Sequence, residues 1–338
     1  MPRQNHVSMD NSSSLRMIDY NENSQAQNLG STLLTTIIKK HAKLLRKSIS
    51  QREVVNICEY GCATGGSSIA PIRAIQDELS PRKIRIFMND LPANDWAALK
   101  NVVESTFPDI NFFYIAKSMY GAVVGEASVH LGYSCFAQHW LEHGAPVGLP
   151  GDALWANQRP LDCSNRKQWE AASRKNWEKK LLARSREIVP GGKLILHIQS
   201  AMNDGSLLES FADTLKQAKR SMIKNRELSL EKAMKMYIPE YPKTPAEIMT
   251  IACAPNVSSL WRLVEAYYCQ LPVGDLDKQT TVDKQIKLCR AFMDSSLLLA
   301  VNNAELSIFW RRVKELACDD PTLLSHNYMA TFLCFERI

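Results

Sequence analysis

The sequence predicts an α/β fold: a mostly parallel, doubly wound sheet that carries a helical insertion. Short apolar runs alternate with amphipathic helical stretches over residues 1–200, the pattern of parallel strands joined by crossover helices. A glycine-rich turn at 61–66 directly follows the first apolar run. Beyond residue 200 the periodicity becomes almost wholly helical.

The elements of the predicted core follow from apolar spacing and from the residues that stop each run. An apolar stripe at helical spacing predicts a first helix over 29–48, whose opposite face is basic. Apolar runs predict strands at 54–59, 83–88, 111–116, 128–133 and 193–199. Helices are expected between them at 67–78, 96–107 and 167–188, the last ended by Pro190-Gly191-Gly192.

The later part of the chain is predicted to be a helical cap. Helical periodicity covers 206–224, 230–236, 245–251, 259–268, 282–301 and 304–316. Alternation of apolar and polar residues over 328–338 predicts one closing strand. The expected division is therefore a core of residues 1–204 and 320–338, with a cap formed by residues 205–319.

Composition argues against several classes of protein. The net charge of +6 is small for 338 residues, and no dense Lys/Arg tract with interleaved aromatics marks a nucleic-acid surface. Nine cysteines form no C-x-x-C pair, so no metal site is expected, and their odd number argues against a full disulfide framework. A polar N-terminus and the lack of an apolar run of about 20 residues predict a cytoplasmic protein with no signal peptide and no membrane partner.

The turn after the first strand indicates the kind of ligand. It has Glu59-x-Gly61 followed by Gly65-Gly66, which fits the G-x-G-x-x-G pattern of dinucleotide enzymes poorly. A glycine-rich turn with a leading acid is typical of S-adenosylmethionine enzymes. Asp90 ends the second strand, where a carboxylate can accept both ribose hydroxyls of a nucleoside. Either acid alone is more often a turn or helix-capping residue, but together, at two strand ends, they favour a cofactor site.

Six short motifs, in one order over most of the chain, resemble those of the plant-type SABATH methyltransferases. The clearest spans residues 89–96 and matches the family's N-D-L-P-x-N-D-[FW]. Residues 20–27 resemble Y-x-x-N-S-x-x-Q, 118–121 S-F-Y-G, 134–141 S-S-Y-S-L-H-W-L, 189–192 V-V-P-G-G and 237–241 F-N-x-P-x-Y. The resemblance implies a class I methyltransferase fold, which is Rossmann-like with a helical cap that forms the acceptor pocket, and it implies a homodimer.

The family's contacts with S-adenosylmethionine carry over to matching positions of this chain. The resemblance implies that the cofactor is bound by Tyr20, Ser24, Glu59, Gly61, Asp90, Leu91, Ser118, Met119, Ser134 and Cys135. Glu59 stands where the family usually has Asp, which keeps the charge and adds one methylene. Met119 replaces a common aromatic residue, and its flexible, polarizable thioether can still pack on a purine.

Gln27 and Trp140 match the pair that holds the substrate carboxylate in carboxyl-methylating members, and they are the predicted catalytic residues. Both are neutral donors, so they can hold one carboxylate oxygen and leave the other nucleophilic, where a cationic arginine would quench it. His139 is expected to shape the pocket, because an acid with a pKa of about 4 is ionised at pH 7 and needs no general base. The other expected walls of the acceptor pocket are Leu207, Leu208, Phe211, Tyr237 and Phe292.

The resemblance thus implies SN2 transfer of a methyl group from S-adenosylmethionine to a small carboxylic acid, giving its methyl ester. The first alternative is N-methylation of a small heterocycle, such as a purine or an indole-type acceptor, which would keep the cofactor site and repurpose His139 and the cap. The second is a scaffold that kept the fold without catalysis. Action on nucleic acid or protein is disfavoured, because a cap should enclose a small acceptor and no basic groove is evident.

Overall fold

The computed structural model describes residues 25–50, 52–149, 151–157, 163–203, 209–273, 281–318, 320–324 and 326–338. Four predicted site residues, Tyr20, Ser24, Leu207 and Leu208, lie outside these ranges. Gln27 lies in the first helix, but its side chain is also outside the description.

Within the described residues, seven strands form a single twisted layer. They are β1 (Val55–Tyr60), β2 (Ile84–Asp90), β3 (Asn111–Ala116), β4 (Val129–Cys135), β5 (Ile188–Ser200), β6 (Trp261–Val273) and β7 (His326–Arg337). Their order is β3-β2-β1-β4-β5-β7-β6. β1 to β5 run parallel, and β7 is antiparallel to both of its neighbours. The predicted doubly wound α/β fold is therefore confirmed.

Helices cover both faces of the sheet. They are α1 (Gln25–Ser48), α2 (Ile69–Leu79), α3 (Trp96–Thr106), α4 (Cys163–Glu187), α5 (Glu209–Lys224), α6 (Leu230–Lys235), α7 (Pro245–Ala252), α8 (Pro255–Ser258), α9 (Val282–Leu297) and α10 (Asn303–Ala317). Successive side chains of β5 enter different hydrophobic cores, since Leu194 and Leu196 pack with α4, whereas Ile195 packs with α1 and α2. Burial on both faces explains why these strands appear in the sequence as continuous apolar runs.

The predicted helix over 259–268 is wrong. The short α8 ends at Ser258, before this range, and the chain enters β6 at Trp261. β6 pairs with β7 from Trp261 to Val273, so strand pairing satisfies its backbone. Val264, Tyr267 and Tyr268 are exposed on this edge strand. Aromatic and β-branched residues suit such a half-exposed sheet surface, and this preference outweighs their helix-like spacing.

The boundary between α4 and β5 also differs in detail from the prediction. Pro190-Gly191-Gly192 was expected to separate helix from strand, but α4 ends at Glu187 and β5 begins at Ile188. The three residues are therefore the first part of a long strand. Gly191 has a φ of 78°, a conformation that glycine adopts without strain.

The helices of the predicted cap pack together beside the sheet. α10 lies against α5 and α9, and Lys219 of α5 donates to the carbonyl oxygens of Ala153 and Met236 at 2.6 and 2.8 Å. The division into core and cap stays a prediction, and β6, which lies within the range assigned to the cap, joins the sheet of the core. In the part of the chain that is described, no helix has the length and apolar character to cross a bilayer.

Candidate active site

A cleft opens at the carboxyl ends of β1, β2 and β4. The strand order reverses between β1 and β4, and a reversal of this kind leaves a crevice in which α/β proteins bind ligands. The cleft holds about 980 Å³ of space, part of it open to solvent. Of the predicted cofactor residues, Gly61, Asp90, Leu91, Ser118, Met119 and Cys135 line it.

Gly61 lets the backbone turn sharply at the end of β1. Its φ is 83°, in the left-handed region, and an added Cβ would lie 2.5 Å from the Cβ of Ala137. Both constraints exclude a side chain there. The Gly61 amide donates to the carbonyl oxygen of Asn89 at 2.8 Å, which ties the turn to the end of β2. Because position 61 has no side chain, the space between the ends of β1 and β2 stays open to a ligand.

Asp90 is held as an acceptor at the end of β2. Its Oδ2 accepts from the Ala63 amide at 2.6 Å, and its Oδ1 accepts from the Leu91 amide at 2.7 Å. Burial raises the pKa of the Asp90 carboxyl, and the two amide donors partly offset that rise. Each oxygen has a further lone pair, so the carboxyl can still accept a vicinal diol from the cleft.

Two asparagines that the sequence analysis did not assign complete this corner. The Asn94 side chain donates to the Ala63 carbonyl at 2.7 Å, which fastens the loop after β2 to the turn after β1. The Asn89 side chain donates to the carbonyls of Ile115 and Lys117 at 3.0 and 2.7 Å. Both belong to the Asn-Asp motif of 89–96, so the motif contained the signal, but the sequence analysis assigned roles only to Asp90 and Leu91.

Glu59 lies behind the cleft rather than on its surface. Its carboxyl is fully buried, and the Tyr133 hydroxyl donates to Oε2 at 2.8 Å. Burial raises the pKa of Glu59 to about 7, against the opposing effect of the Tyr133 and Ser68 hydroxyls. Glu59 is therefore a buried residue at the end of β1 that bonds to Tyr133, and its contact with the cofactor stays a prediction.

Ser134 also lies behind the cleft, next to residues that line it. Its hydroxyl donates to the Tyr60 carbonyl at 2.6 Å and accepts from the Gln138 amide at 2.7 Å. The same Gln138 nitrogen is 3.7 Å from the sulfur of Met119. Ser134 thus fixes the wall formed by Met119 and Cys135 through the Gln138 side chain.

Trp140 lines the cleft and is fixed by its backbone. The Leu141 amide donates to the Pro239 carbonyl at 2.9 Å, and the Tyr241 amide donates to the His139 carbonyl at 3.0 Å, so the segments 139–141 and 239–241 form a short bridge. The Tyr120 hydroxyl donates to the Trp140 carbonyl. The Trp140 indole therefore projects from an anchored segment.

The Trp140 indole N–H is a spare donor in this cleft. It makes no hydrogen bond to another described residue, whereas the indoles of Trp96, Trp155, Trp177, Trp261 and Trp310 donate to oxygens at 2.7 to 3.3 Å. The indole of Trp169 is also unpaired, but it is buried against Tyr237 and does not line the cleft. Because Trp140 is only partly buried, its N–H remains available to a ligand.

His139 is buried beside Trp140 and does not line the cleft. Its Nε2 is 3.2 Å from Oε2 of Glu240, whose Oε1 accepts from the Trp155 indole at 2.7 Å. Burial lowers the pKa of His139 to about 3, and the charges of Lys180, His197 and Lys243 add to that effect. Burial also raises the pKa of Glu240 to about 7. His139 is therefore a neutral imidazole at physiological pH.

Three of the expected acceptor walls are not among the residues that line this cleft, and their place in an acceptor pocket stays a prediction. Phe211 is fully buried against Trp155, with ring centroids 5.9 Å apart. Tyr237 packs edge-on against Trp169 at 5.6 Å, and Phe292 packs against the larger hydrophobic core. Glu142 and Ser295, which the sequence analysis did not single out, line the cleft instead. No sequence signal distinguished them from ordinary surface positions.

The residues that are present suit S-adenosylmethionine. Asp90 offers oxygen acceptors for a ribose, Met119 offers an apolar sulfur beside them, and Gly61 leaves the backbone open. The sequence model of one protein family, described as the S-adenosylmethionine-dependent carboxyl methyltransferases, matches residues 8–337.

The chain belongs to this family, the SABATH methyltransferases. S-adenosylmethionine is accordingly its cofactor.

Curated relatives are similar to this chain in sequence, and a solved structure is similar to it in fold. Methyltransferase LUC1 of Fusarium sp is 30% identical over 211 residues, which cover 58% of this chain and 54% of that protein. Probable caffeine synthase 5 of Camellia sinensis is 24% identical over 306 residues, 81% of this chain and 84% of that protein. The match to the first of these thus spans about half of the relative's length. The solved loganic acid methyltransferase with SAH has a TM-score of 0.79 at 15% identity over 96% of this chain and 98% of that chain, so it shares the class I Rossmann-like fold.

Proposed function

We propose that this methyltransferase converts a small carboxylic acid to its methyl ester. The observation that carries the proposal is the Trp140 N–H, a neutral donor that has no hydrogen-bond partner among the described residues, in a cleft that also contains the Asp90 corner. Gln27 lies in α1 and is proposed as the second neutral donor. The family description, carboxyl methyltransferase, favours the same acceptor chemistry.

In the proposed reaction, the protein binds the carboxylic acid and orients it towards the methyl group. Trp140 and Gln27 hold one oxygen of the ionised acceptor, which leaves the other oxygen free to attack. Bound S-adenosylmethionine supplies an electrophilic methyl group for in-line displacement. Because His139 is buried and neutral, it adds no positive charge near the acceptor carboxylate, and the carboxylate retains its nucleophilicity. A closed site excludes water, which would otherwise stabilise the separated charges.

Trp140→Phe tests the role of the donor, since it keeps the aromatic ring and removes the N–H. A hydrogen bond to a charged group is worth about 1.5–3 kcal/mol, so we expect kcat/KM for the acid to fall about 10- to 100-fold. The affinity for S-adenosylmethionine, measured by isothermal titration, should stay within about twofold. Trp96→Phe is the matched control, because the Trp96 indole donates to the Pro92 carbonyl at 3.3 Å and its residue does not line the cleft.

The product distinguishes the two enzymatic hypotheses. With radiolabelled S-adenosylmethionine, a base-labile product from a panel of carboxylic acids supports ester formation. A base-stable product from a purine or indole-type heterocycle, with no ester from any acid, overturns the proposal in favour of N-methylation, an activity that the name of the Camellia relative makes worth testing. Equal loss of cofactor binding and acceptor turnover in Trp140→Phe would refute the assigned role of the indole.

A further inference from the structure

We infer that Arg184 is a positioning residue for S-adenosylmethionine, and that it acts through the backbone of residues 118–121. This segment carries Ser118 and Met119, which line the cleft, whereas Arg184 lies on α4, outside the described lining. The inference rests on the predicted contact of Met119 with the cofactor and is independent of the acceptor. Arg184 holds one wall of the cofactor site in place from behind.

The segment 118–121 depends on contacts from outside for its shape. It lies in the connection between β3 and β4. Two hydrogen bonds within it are long, since the Gly121 amide donates to the Ser118 carbonyl at 3.4 Å and the Tyr120 amide donates to the Ser118 hydroxyl at 3.3 Å. Bonds of this length are weak. Neighbouring elements must therefore keep the segment in one conformation.

Arg184 supplies two of these outside contacts. Its Nη1 donates to the Met119 carbonyl and its Nη2 donates to the Gly121 carbonyl, each at 2.6 Å. A guanidinium is planar and holds its N–H groups in a rigid fork. The two bonds consequently fix the relative orientation of two carbonyl groups in the segment, which a single rotatable ammonium group could not do.

Glu187 fixes the guanidinium itself. Nε of Arg184 donates to Oε2 and Nη2 donates to Oε1, both at 2.8 Å, within one turn of α4. The same carboxylate accepts from the Tyr60 hydroxyl at 2.9 Å and from the Val123 amide at 2.6 Å. The guanidinium carbon also lies 4.3 Å from the centroid of the Tyr60 ring. Both charged side chains are almost wholly buried, so this ion pair has one geometry and passes it to the segment.

The Met119 side chain is held by the same face of α4. Its sulfur is 3.7 Å from the Gln138 amide nitrogen, and the Gln138 carbonyl accepts from the Trp177 indole at 3.2 Å and from Nζ of Lys180 at 3.1 Å. Trp177, Lys180 and Arg184 follow one another at helical spacing, so they share one side of the helix. A small cavity remains between them and Met119. Hydrogen bonds rather than close packing therefore set the position of Met119.

Isothermal titration with S-adenosylmethionine and S-adenosylhomocysteine measures the effect of releasing the segment. Arg184→Lys keeps a positive charge next to Glu187 but cannot bridge two carbonyl groups. We expect both affinities to fall about tenfold, the equivalent of one lost hydrogen bond. Arg337→Lys is the matched control, because the Arg337 guanidinium also donates to backbone carbonyls, those of Ser185 and Leu260 at 2.6 and 3.1 Å, and lies outside the described lining of the cleft. It should leave both affinities within about twofold of wild type.

A double variant shows whether the arginine acts through Met119. Met119→Ala should itself weaken S-adenosylmethionine binding about tenfold, because it removes the contact that Arg184 positions. Met119→Ala/Arg184→Lys should then bind the cofactor about as well as Met119→Ala, whereas independent effects would multiply to about 100-fold. In Arg184→Lys the KM for S-adenosylmethionine should rise about tenfold while kcat at saturating cofactor stays within about twofold, with an acceptor from either the carboxylic-acid or the heterocycle panel.

Arg184→Met/Glu187→Gln removes both charges together and leaves no unpaired buried charge. Glutamine at position 187 still offers an oxygen to the Val123 amide, and the bonds to the Met119 and Gly121 carbonyls are lost. This variant should also lose about tenfold in cofactor affinity. It decides the inference if Arg184→Lys fails to fold.

Affinities within about twofold of wild type in a folded Arg184 variant overturn the inference. An equal loss in Arg337→Lys, or losses that multiply in the double variant with Met119→Ala, overturn it in favour of a general structural role. Unchanged affinity in Met119→Ala also overturns it, because that wall would then make no contact with the cofactor. The binding measurements use no acceptor, so they stand if ester formation fails, and their failure leaves ester formation open.

Discussion

Replacing Glu240 by glutamine should change how stability depends on pH. The Glu240 carboxyl is buried between the Trp155 indole and His139, and burial raises its pKa from 4.5 to about 7. A raised pKa means that the folded state binds the proton more tightly than the unfolded chain. Its stabilising effect is complete below about pH 4.5 and is lost as the pH rises through about 7.

The size of the effect follows from the two pKa values. At 1.36 kcal/mol for each pH unit, the difference between 4.5 and about 7 corresponds to about 3 kcal/mol. Glutamine has the shape of the protonated acid, so it accepts from Trp155 and donates to His139 at every pH. Relative to wild type, Glu240→Gln should therefore gain about 3 kcal/mol between pH 4.5 and pH 8.

Urea unfolding at pH 5, 6, 7 and 8 measures this difference, from midpoints at constant slope. The variant must be compared with wild type at each pH, because buried histidines and lysines in both proteins also make the free energy of unfolding depend on pH. Burial lowers the pKa of these groups, so their effect on stability has the opposite sign to that of Glu240. Glu126→Gln, the same substitution at an exposed position, is the control variant. A constant difference for Glu240→Gln would refute the reasoning.

Three other substitutions test the cleft and its support. Asp90→Asn places an amide donor against the backbone N–H of Ala63 or Leu91 and removes the negative charge. We therefore expect the affinity for S-adenosylmethionine, measured by calorimetry, to fall about 10- to 100-fold. Unchanged affinity would contradict the role of Asp90 in binding the ribose. Gly61→Ala costs about 1–2 kcal/mol for its left-handed φ alone, and contact with Ala137 adds to it, so both thermal midpoint and cofactor affinity should drop. Gly30→Ala puts a Cβ 1.9 Å from the His197 ring. This overpacking should lower the free energy of unfolding, measured by urea titration, by about 1–3 kcal/mol. A stability equal to that of wild type would show that α1 can shift without cost.

The strand ends of the parallel sheet were predictable because they depend on local patterns. Continuous apolar runs require burial on both faces, and the carboxyl ends of such strands meet at one edge of a sheet. Gly61 and Asp90 therefore came together as expected, with the Asp90 carboxyl on the Ala63 amide. Topology alone brings these positions together, so no knowledge of distant contacts was needed.

Other features depend on contacts that the sequence does not encode locally. β6 is stabilised by pairing with β7, a partner that follows it only after α9 and α10. Its residues have helix-like spacing, and only the distant strand decides between the two structures. The same holds for Phe211, since an apolar residue on a helix faces either core or cleft, and the answer depends on Trp155.

The His139–Glu240 pair links these two kinds of feature and supports the proposed chemistry. His139 and Trp140 are neighbours in the sequence, whereas Glu240 reaches His139 only because segments 139–141 and 239–241 are bridged. An exposed histidine in the same place would be partly charged near neutral pH and would compete for the acceptor carboxylate. Burial keeps His139 neutral, so this imidazole places no positive charge next to the Trp140 indole. The bridge that anchors Trp140 thus also brings Glu240 to the buried His139, and a neutral imidazole at this position is compatible with the carboxylate proposed as acceptor.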